Sequence, residues 1–238
     1  SYLHFNKLVN TVDITPTYFA GHSLGEYSAL VAANSISITE ALKLVRKRGE
    51  LMESAPNGSM SAIMGLDNNV IGEICLIASH GDNSHVQCAN LNSPNQTVIS
   101  GHDDAVIRAQ DLCIAKGAKR AIKLKVSIAS HSKLMLSAVD EFQKTLESVT
   151  FKMPDIHIIH NVSVNSSTSS KDIPSLLVSQ LHSPVRWVET CNFISQLNLP
   201  IIECGPGKVL SGLFKGNKLE NYFSVTDEEF YEKINNYG

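Results

Sequence analysis

The 238 residues carry 20 Lys and Arg against 23 Asp and Glu, a formal net charge of -3, with 43% hydrophobic and 18% charged residues. That balance excludes disorder, collagen-like repeats and coiled coil as descriptions of the whole chain. It also shows no basic excess that would favour nucleic acid or an anionic membrane. No apolar run approaches the ~18–20 residues that cross a bilayer. The first residues, Ser1-Tyr2-Leu3-His4-Phe5-Asn6-Lys7, lack the basic-then-apolar pattern of a signal peptide. The five cysteines, Cys75, Cys88, Cys113, Cys191 and Cys204, are odd in number and form no CxxC pair. Reduced thiols in a cytoplasmic setting are therefore expected, without a disulfide framework or a zinc site.

In chain order, the opening reads as the end of a helix, followed by Pro16 and a short apolar strand over 17–20. Gly21-His22-Ser23-Leu24-Gly25 interrupts it, and an Ala/Leu/Val-rich helix follows to about Asn34. Ser37-x-x-Glu40 is a capping-box signature for a helix that runs to about Ser54. After the break at Pro56-Asn57-Gly58, strands are predicted over 60–66, 86–92, 97–100 and 122–126. Helices are predicted between them over 68–79 and 103–116, with Gly117 closing the second. This βαββαβ order is the split-βαβ, ferredoxin-like arrangement, read as a small domain over 59–126 inserted in a larger one over 1–58 and 127–238. The larger domain resumes with one helix from Ser130-His131 through Leu146, a strand over 156–161, helices over 172–181 and 185–196, a strand over 200–204 and a last short helix after Gly205-Pro206-Gly207. Strands alternating with helices predict an α/β domain with a mostly parallel sheet.

Three constellations could carry chemistry. Gly21-His22-Ser23-Leu24-Gly25 fits the G-x-S-x-G elbow, in which a sharp strand-to-helix turn presents a serine hydroxyl. Its two glycines are expected to keep the turn free of clashes, and the Leu24 N–H, at a helix N-terminus, can donate to an oxyanion. The second is Arg48, on the apolar stripe formed by Ala41, Leu44, Val45, Leu51 and Met52. An arginine there meets either a ligand carboxylate or a structural Asp or Glu of the protein, and periodicity does not separate the two. The third is Ser130-His131, with Ser130 as N-cap and His131 in the first helical turn. There the helix dipole favours the neutral imidazole that a general base needs. The nine histidines show no H-x-x-E-H or H-E-x-x-H spacing, so no metal site is expected; no bound cofactor is expected either. Gly205-Pro206-Gly207-Lys208 lacks the spacing of a P-loop, and Trp187 reads as a packing anchor. The cluster Lys119-Arg120-x-x-Lys123-x-Lys125 reads as a solvated face that can also attract an acidic carrier protein.

Six segments together carry a resemblance. They are residues 21–30 from Gly21-His22-Ser23 onward, Arg48-Gly49-Glu50-Leu51-Met52, Asn92-Ser93-Pro94-Asn95-Gln96 through Gly101, Ser130-His131, Gln180-Leu181-x-x-Pro184-Val185-Arg186-Trp187, and residues 203–210 around Gly205-Pro206-Gly207. In this order, over nearly the whole chain, they resemble the malonyl-CoA:acyl carrier protein transacylase family of fatty acid biosynthesis and its polyketide acyltransferase relatives. The resemblance implies an α/β-hydrolase-like large domain with a ferredoxin-like insertion. It implies Ser23 as acyl acceptor, His131 as base, and Arg48 as partner of the malonyl carboxylate. It implies a histidine oriented by a neutral acceptor, placed at the Gln180 carbonyl with Asn161 nearby. Substrate and partner would be malonyl-CoA and acyl carrier protein. The family begins with a strand and a Gly-Gln-Gly-Ser-Gln loop that contributes an oxyanion donor. No such segment precedes Ser23 here, so the chain is expected to be a truncated form of an active protein. Rival readings are a methylmalonyl-using polyketide acyltransferase, a serine thioesterase or hydrolase, and a catalytically dead docking module.

Overall fold

The computed structural model describes residues 1–235; the last three residues of the span 127–238, read above as part of the large domain, lie outside it. The chain opens with α1 (Tyr2–Thr11) and the short strand β1 (Tyr18–Ala20), which turns into α2 (Gly25–Ala32). α3 (Ile38–Ser54) starts where predicted: the Ser37 hydroxyl accepts from the Glu40 N–H, and the Glu40 carboxylate accepts from the Ser37 N–H. Its buried face is Ala41, Leu44, Arg48, Leu51 and Met52, so the apolar stripe with an arginine in it faces inward.

The chain then forms β2 (Ser59–Met64), α4 (Asn68–Ala78), β3 (Val86–Ser93), β4 (Gln96–Gly101), α5 (Asp103–Ala115) and β5 (Arg120–Lys123). The four strands make one antiparallel sheet in the order β3-β4-β2-β5. α4 and α5 cover one face, burying Ile71, Ile74, Ala105, Val106 and Ala109 against Ile63 and Ile99. Gly117 ends α5 in the left-handed region at φ 103°, with Ala118 N–H donating to Cys113 O at 2.9 Å. β5 lies two residues before its predicted start. Pairing with β2, with Ala62 opposite Ile122 and Met64 opposite Arg120, sets its limits. The alternation over 122–126 is not one face of a strand: Ile122 stays exposed while Leu124 packs behind the sheet on Met60, Ala62, Ala89 and Val98.

Next come a 3₁₀ helix (Lys133–Ala138), α6 (Val139–Glu147), β6 (His157–Ile159), α7 (Asp172–His182), α8 (Trp187–Leu197), β7 (Ile201–Glu203), α9 (Val209–Gly216), β8 (Tyr222–Ser224) and α10 (Phe230–Asn235). The predicted single helix from Ser130 is thus a 3₁₀ turn leading into α6. β8 and α10 follow the helix read as the last. The parallel pairing expected of the larger part is present, but among the described residues it comes as two separate ladders, β1 with β6 and β7 with β8. Both β1 and β7 line an apolar cleft of about 990 Å³ that reaches Gly21 and His22. The largest core joins α2, α3, α6 and α7 around Leu30, Leu44, Phe142, Leu146, Leu177 and Leu181. β3 ties the antiparallel sheet to this body: Leu91 N–H donates to Val185 O at 2.9 Å, and Val185 N–H to Ala89 O at 2.8 Å.

Candidate active site

The site forms where β1 ends. Ser23 sits in the left-handed region at φ 49°, a conformation that a non-glycine residue holds only when its surroundings over-determine it. Asn161 supplies that hold. Its Oδ1 accepts from Ser23 N–H at 2.6 Å, and its Nδ2 donates to Gly21 O at 2.6 Å, clamping the turn from both sides. Only one of the two motif glycines is sterically required. A Cβ on Gly21 would lie 2.0 Å from the Gly25 carbonyl carbon, whereas one on Gly25 would meet nothing within 4 Å. Leu24 is the N-cap of α2. Its N–H points from the first helical turn, where orphan donors and the helix dipole favour negative charge.

His131 reaches Ser23 from across the domain, with Ser23 Oγ 2.9 Å from its Nε2. Nδ1 lies 2.7 Å from the Gln180 backbone carbonyl. A carbonyl only accepts, so Nδ1 carries the proton and Nε2 is free to take the serine's. Of the two residues expected near the imidazole, Gln180 meets it through its backbone carbonyl, whereas the Asn161 side chain bonds the elbow. The expected helix context also fails. His131 lies in the left-handed region at φ 58°, and Ser132, not Ser130, caps the 3₁₀ helix, its hydroxyl accepting from Leu134 N–H. The neutral form has another cause. Burial first, then the nearby Arg48 charge, push the imidazole pKa down to about 3.

Arg48 is 8% exposed. Its Nη2 donates to Ser23 Oγ at 3.1 Å and to Gln180 Oε1 at 3.3 Å, and its guanidinium carbon lies 5.8 Å from the Tyr27 ring centre. Among the described residues no Asp or Glu forms an ion pair with it, and its Nε has no hydrogen-bond partner. Of the two readings that periodicity left open, the structural ion pair is absent.

Glu26 and Gln87, which sequence patterning did not single out, lie beside these residues. Glu26, on α2, is 1% exposed, and its carboxylate accepts from His160, Asn161 and Gln180. An acid inside an otherwise apolar helix was the available signal. Gln87 on β3 donates from Nε2 to both His131 O and His182 O at 3.0 Å, bracing the strained loop from the antiparallel sheet. His22 packs on Trp187, at 5.3 Å between ring centres, and bonds Asn92 through Nε2. The turn at 205–207 holds no anion site, because Glu203 already accepts from Leu210 N–H, Ser211 N–H and the Ser211 hydroxyl. Among the described residues no three His, Cys, Asp or Glu side chains gather as a metal site, and no helix is long and apolar enough to cross a membrane.

A hydroxyl beside an imidazole, an N–H at a helix N-terminus and a buried guanidinium without an acidic partner among the described residues can accept an acyl group that carries its own negative charge. Comparison with known proteins points the same way. The acyl transferase domain family matches residues 5–211. A malonyl CoA-acyl carrier protein transacylase of Haemophilus influenzae is 46% identical over 206 residues, covering 85% of this chain and 65% of the relative. The structure of the malonyl CoA-acyl carrier protein transacylase from Coxiella burnetii superimposes with a TM-score of 0.93 at 38% identity, over 99% of this chain and 75% of that one. A malonyl-transacylase solved in complex with its type II polyketide acyl-carrier protein matches at a TM-score of 0.84 and 43% identity, over 89% of this chain and 69% of that one. The chain thus spans a little under two thirds of the Haemophilus relative's length. With nearly nine-tenths of its residues inside the match, it belongs to the acyl transferase domain family.

Proposed function

We propose that this chain transfers the malonyl group of malonyl-CoA to the phosphopantetheine thiol of acyl carrier protein, in the cytoplasm, as a supply step for fatty acid biosynthesis. The observation that carries the reading is Arg48, a nearly buried guanidinium beside the nucleophile with no acidic partner of its own. Leaving such a charge uncompensated costs several kcal/mol, so a substrate that brings a carboxylate is strongly preferred (~3–5 kcal/mol for breaking a buried pair). A serine hydrolase would use Ser23 and His131 equally but gives Arg48 no task.

In the first half-reaction His131 Nε2 takes the Ser23 proton while Oγ attacks the thioester carbonyl. The oxyanion forms against the Leu24 N–H, and Arg48 holds the distal carboxylate through its paired N–H groups. The carbonyl re-forms, the C–S bond breaks, and the imidazolium returns its proton to the CoA thiolate. In the second half-reaction His131 deprotonates the carrier thiol, which attacks the malonyl ester. Collapse releases Ser23, reprotonated by the imidazolium. The Gln180 carbonyl holds the histidine tautomer throughout, and no cofactor is needed.

For the architecture we propose an α/β-hydrolase-like large domain over 1–58 and 127–238 and a ferredoxin-like small domain over 59–126. The sheet order β3-β4-β2-β5 supports the second, since it is the split-βαβ order. The separate cores of the two parts support the boundaries. Intact-mass analysis tests the function: incubation with malonyl-CoA is expected to add one malonyl group, and Ser23→Ala to abolish it. Labelling that persists in Ser23→Ala would remove Ser23 as the acceptor.

A further inference from the structure

We propose that Glu26 is a positioning residue that sets the preference for a carboxylate-bearing acyl group, acting on Arg48 through the side chain of Gln180. The inference rests on the carboxylate-clamp reading of Arg48 given above. Gln180 is fully buried, so every polar atom of its amide must find a partner inside the protein. Its Nε2 lies 2.6 Å from Glu26 Oε2 and 3.2 Å from the Ser23 carbonyl, and its Oε1 lies 3.3 Å from Arg48 Nη2. A carboxylate and a carbonyl only accept, and a guanidinium only donates. The amide therefore has one workable orientation. Turned over, its oxygen would face two acceptors and its NH₂ would face a cation.

Glu26 is itself unable to swing away. Its Oε1 accepts from His160 Nδ1 at 2.6 Å, its Oε2 also accepts from Asn161 N–H at 3.2 Å, and the Ser167 hydroxyl lies 2.7 Å from the other nitrogen of His160. The chain Ser167–His160–Glu26–Gln180–Arg48 is thus a continuous line of hydrogen bonds. It ends on the Arg48 nitrogen that also touches Ser23 Oγ. Its effect is to hold the guanidinium at one place and angle before a ligand arrives, which matters most for a two-pronged contact to a carboxylate.

Glu26→Gln removes the charge of the acceptor and leaves one oxygen where three donors converge, so the Gln180 amide loses the charge-assisted bond that fixes it. Gln180→Leu removes the amide while leaving the His160 and Asn161 bonds to Glu26 in place, and serves if the first variant fails to fold. Single-turnover acylation of Ser23 by malonyl-CoA and by acetyl-CoA is measured by intact mass on wild type, both variants and Arg48→Ala, with a thermal melt of each. The expected result is a malonyl-to-acetyl rate ratio that falls about tenfold or more in Glu26→Gln and in Gln180→Leu, the scale of one hydrogen bond to a charged group. Glu26→Gln placed on Arg48→Ala is expected to change the ratio no further. A merely structural role would slow both substrates by the same factor and leave the ratio at the wild-type value in a folded variant; that result overturns the inference. Should Arg48→Ala collapse the ratio while the other two variants keep it, only this inference fails. Should Arg48→Ala keep it too, the clamp reading fails with it.

Discussion

Arg48 concentrates the chemistry of the site in one side chain. It lies at a position where helical spacing demands a hydrophobe, and its stem occupies the core while its head reaches Ser23 and Gln180. On the proposed function, removing it deprives a malonyl carboxylate of its partner, whereas an acetyl group never had one. Breaking a buried pair from one side corresponds to about two to three and a half decades. In Arg48→Ala the malonyl-to-acetyl ratio of kcat/KM is therefore expected to collapse by at least about a hundredfold, with acetyl transfer steady or improved. Arg48→Lys should recover little, since a point charge does not reproduce the fork. Equal losses for both substrates together with a large fall in Tm would return Arg48 to a structural role. The same guanidinium adds to burial, the larger cause, in lowering the pKa of His131. With burial and Arg48 holding the imidazole pKa near 3, the proposed base is expected to be neutral throughout the physiological range. The acylation kcat/KM should show no histidine limb between pH 5 and 8. In Arg48→Ala, measured with acetyl-CoA, the lost positive charge should move an acid limb upward in pH. A wild-type limb near 6.5 would contradict the burial of the base.

At the scale of elements, the turn from β1 into α2 illustrates how much of a motif is geometry. Both glycines of G-x-S-x-G look alike in the sequence, yet only Gly21 lies where a side chain would strike the backbone of Gly25 and Glu26. Gly21→Ala is expected to dislocate the elbow, abolish acyl loading and lower Tm. Gly25→Ala fits the first turn of α2 without contact and should leave loading intact, raising stability by about 0.4–1 kcal/mol through the unfolded chain. Near-equal loading by the two variants would show that the elbow is not held as described. Element existence was legible wherever local chemistry decides it, as in the capping box at Ser37 and Glu40 and in Gly117 after α5. It was not legible around His131. Ser130 and Ser132 are equally good caps by residue type, and only the contacts of His131 with Leu181, Gln180 and Gln87 force its left-handed backbone.

For the whole molecule, burial of neutral histidine ties stability to pH. The His131 pKa is lowered from 6.5 to about 3 on folding, and burial lowers that of His22 as well. Between about pH 6.5 and 3 the unfolded chain binds protons that the folded one does not, so stability rises with pH across that window. The contribution is complete above the unfolded value and is lost as the pH falls. Carboxylates with lowered pKa, such as Asp104 at about 2, act only below their ordinary value of 3.8. Calorimetric Tm values should therefore drop between pH 7 and 5, before the acids titrate, and His131→Gln should show a shallower drop. An unchanged slope would assign the acid sensitivity elsewhere.

What the sequence determined by itself was everything set by neighbours along the chain. The elbow, the amphipathic stripe with Arg48 out of place, and the βαββαβ order are all periodicities of two or 3.6 residues broken by glycine, proline or a cap. What only the tertiary structure decided was which distant groups meet. Glu26 reaches His160, 134 residues on; Asn161 clamps Ser23 rather than orienting His131; and Gln87 braces the histidine loop from another sheet. The division of the parallel strands into two ladders belongs to the same class. A buried polar group must satisfy its hydrogen bonds with whatever the fold brings within about 3 Å. Sequence spacing carries no record of that choice, because the partners are selected by packing of the elements that hold them.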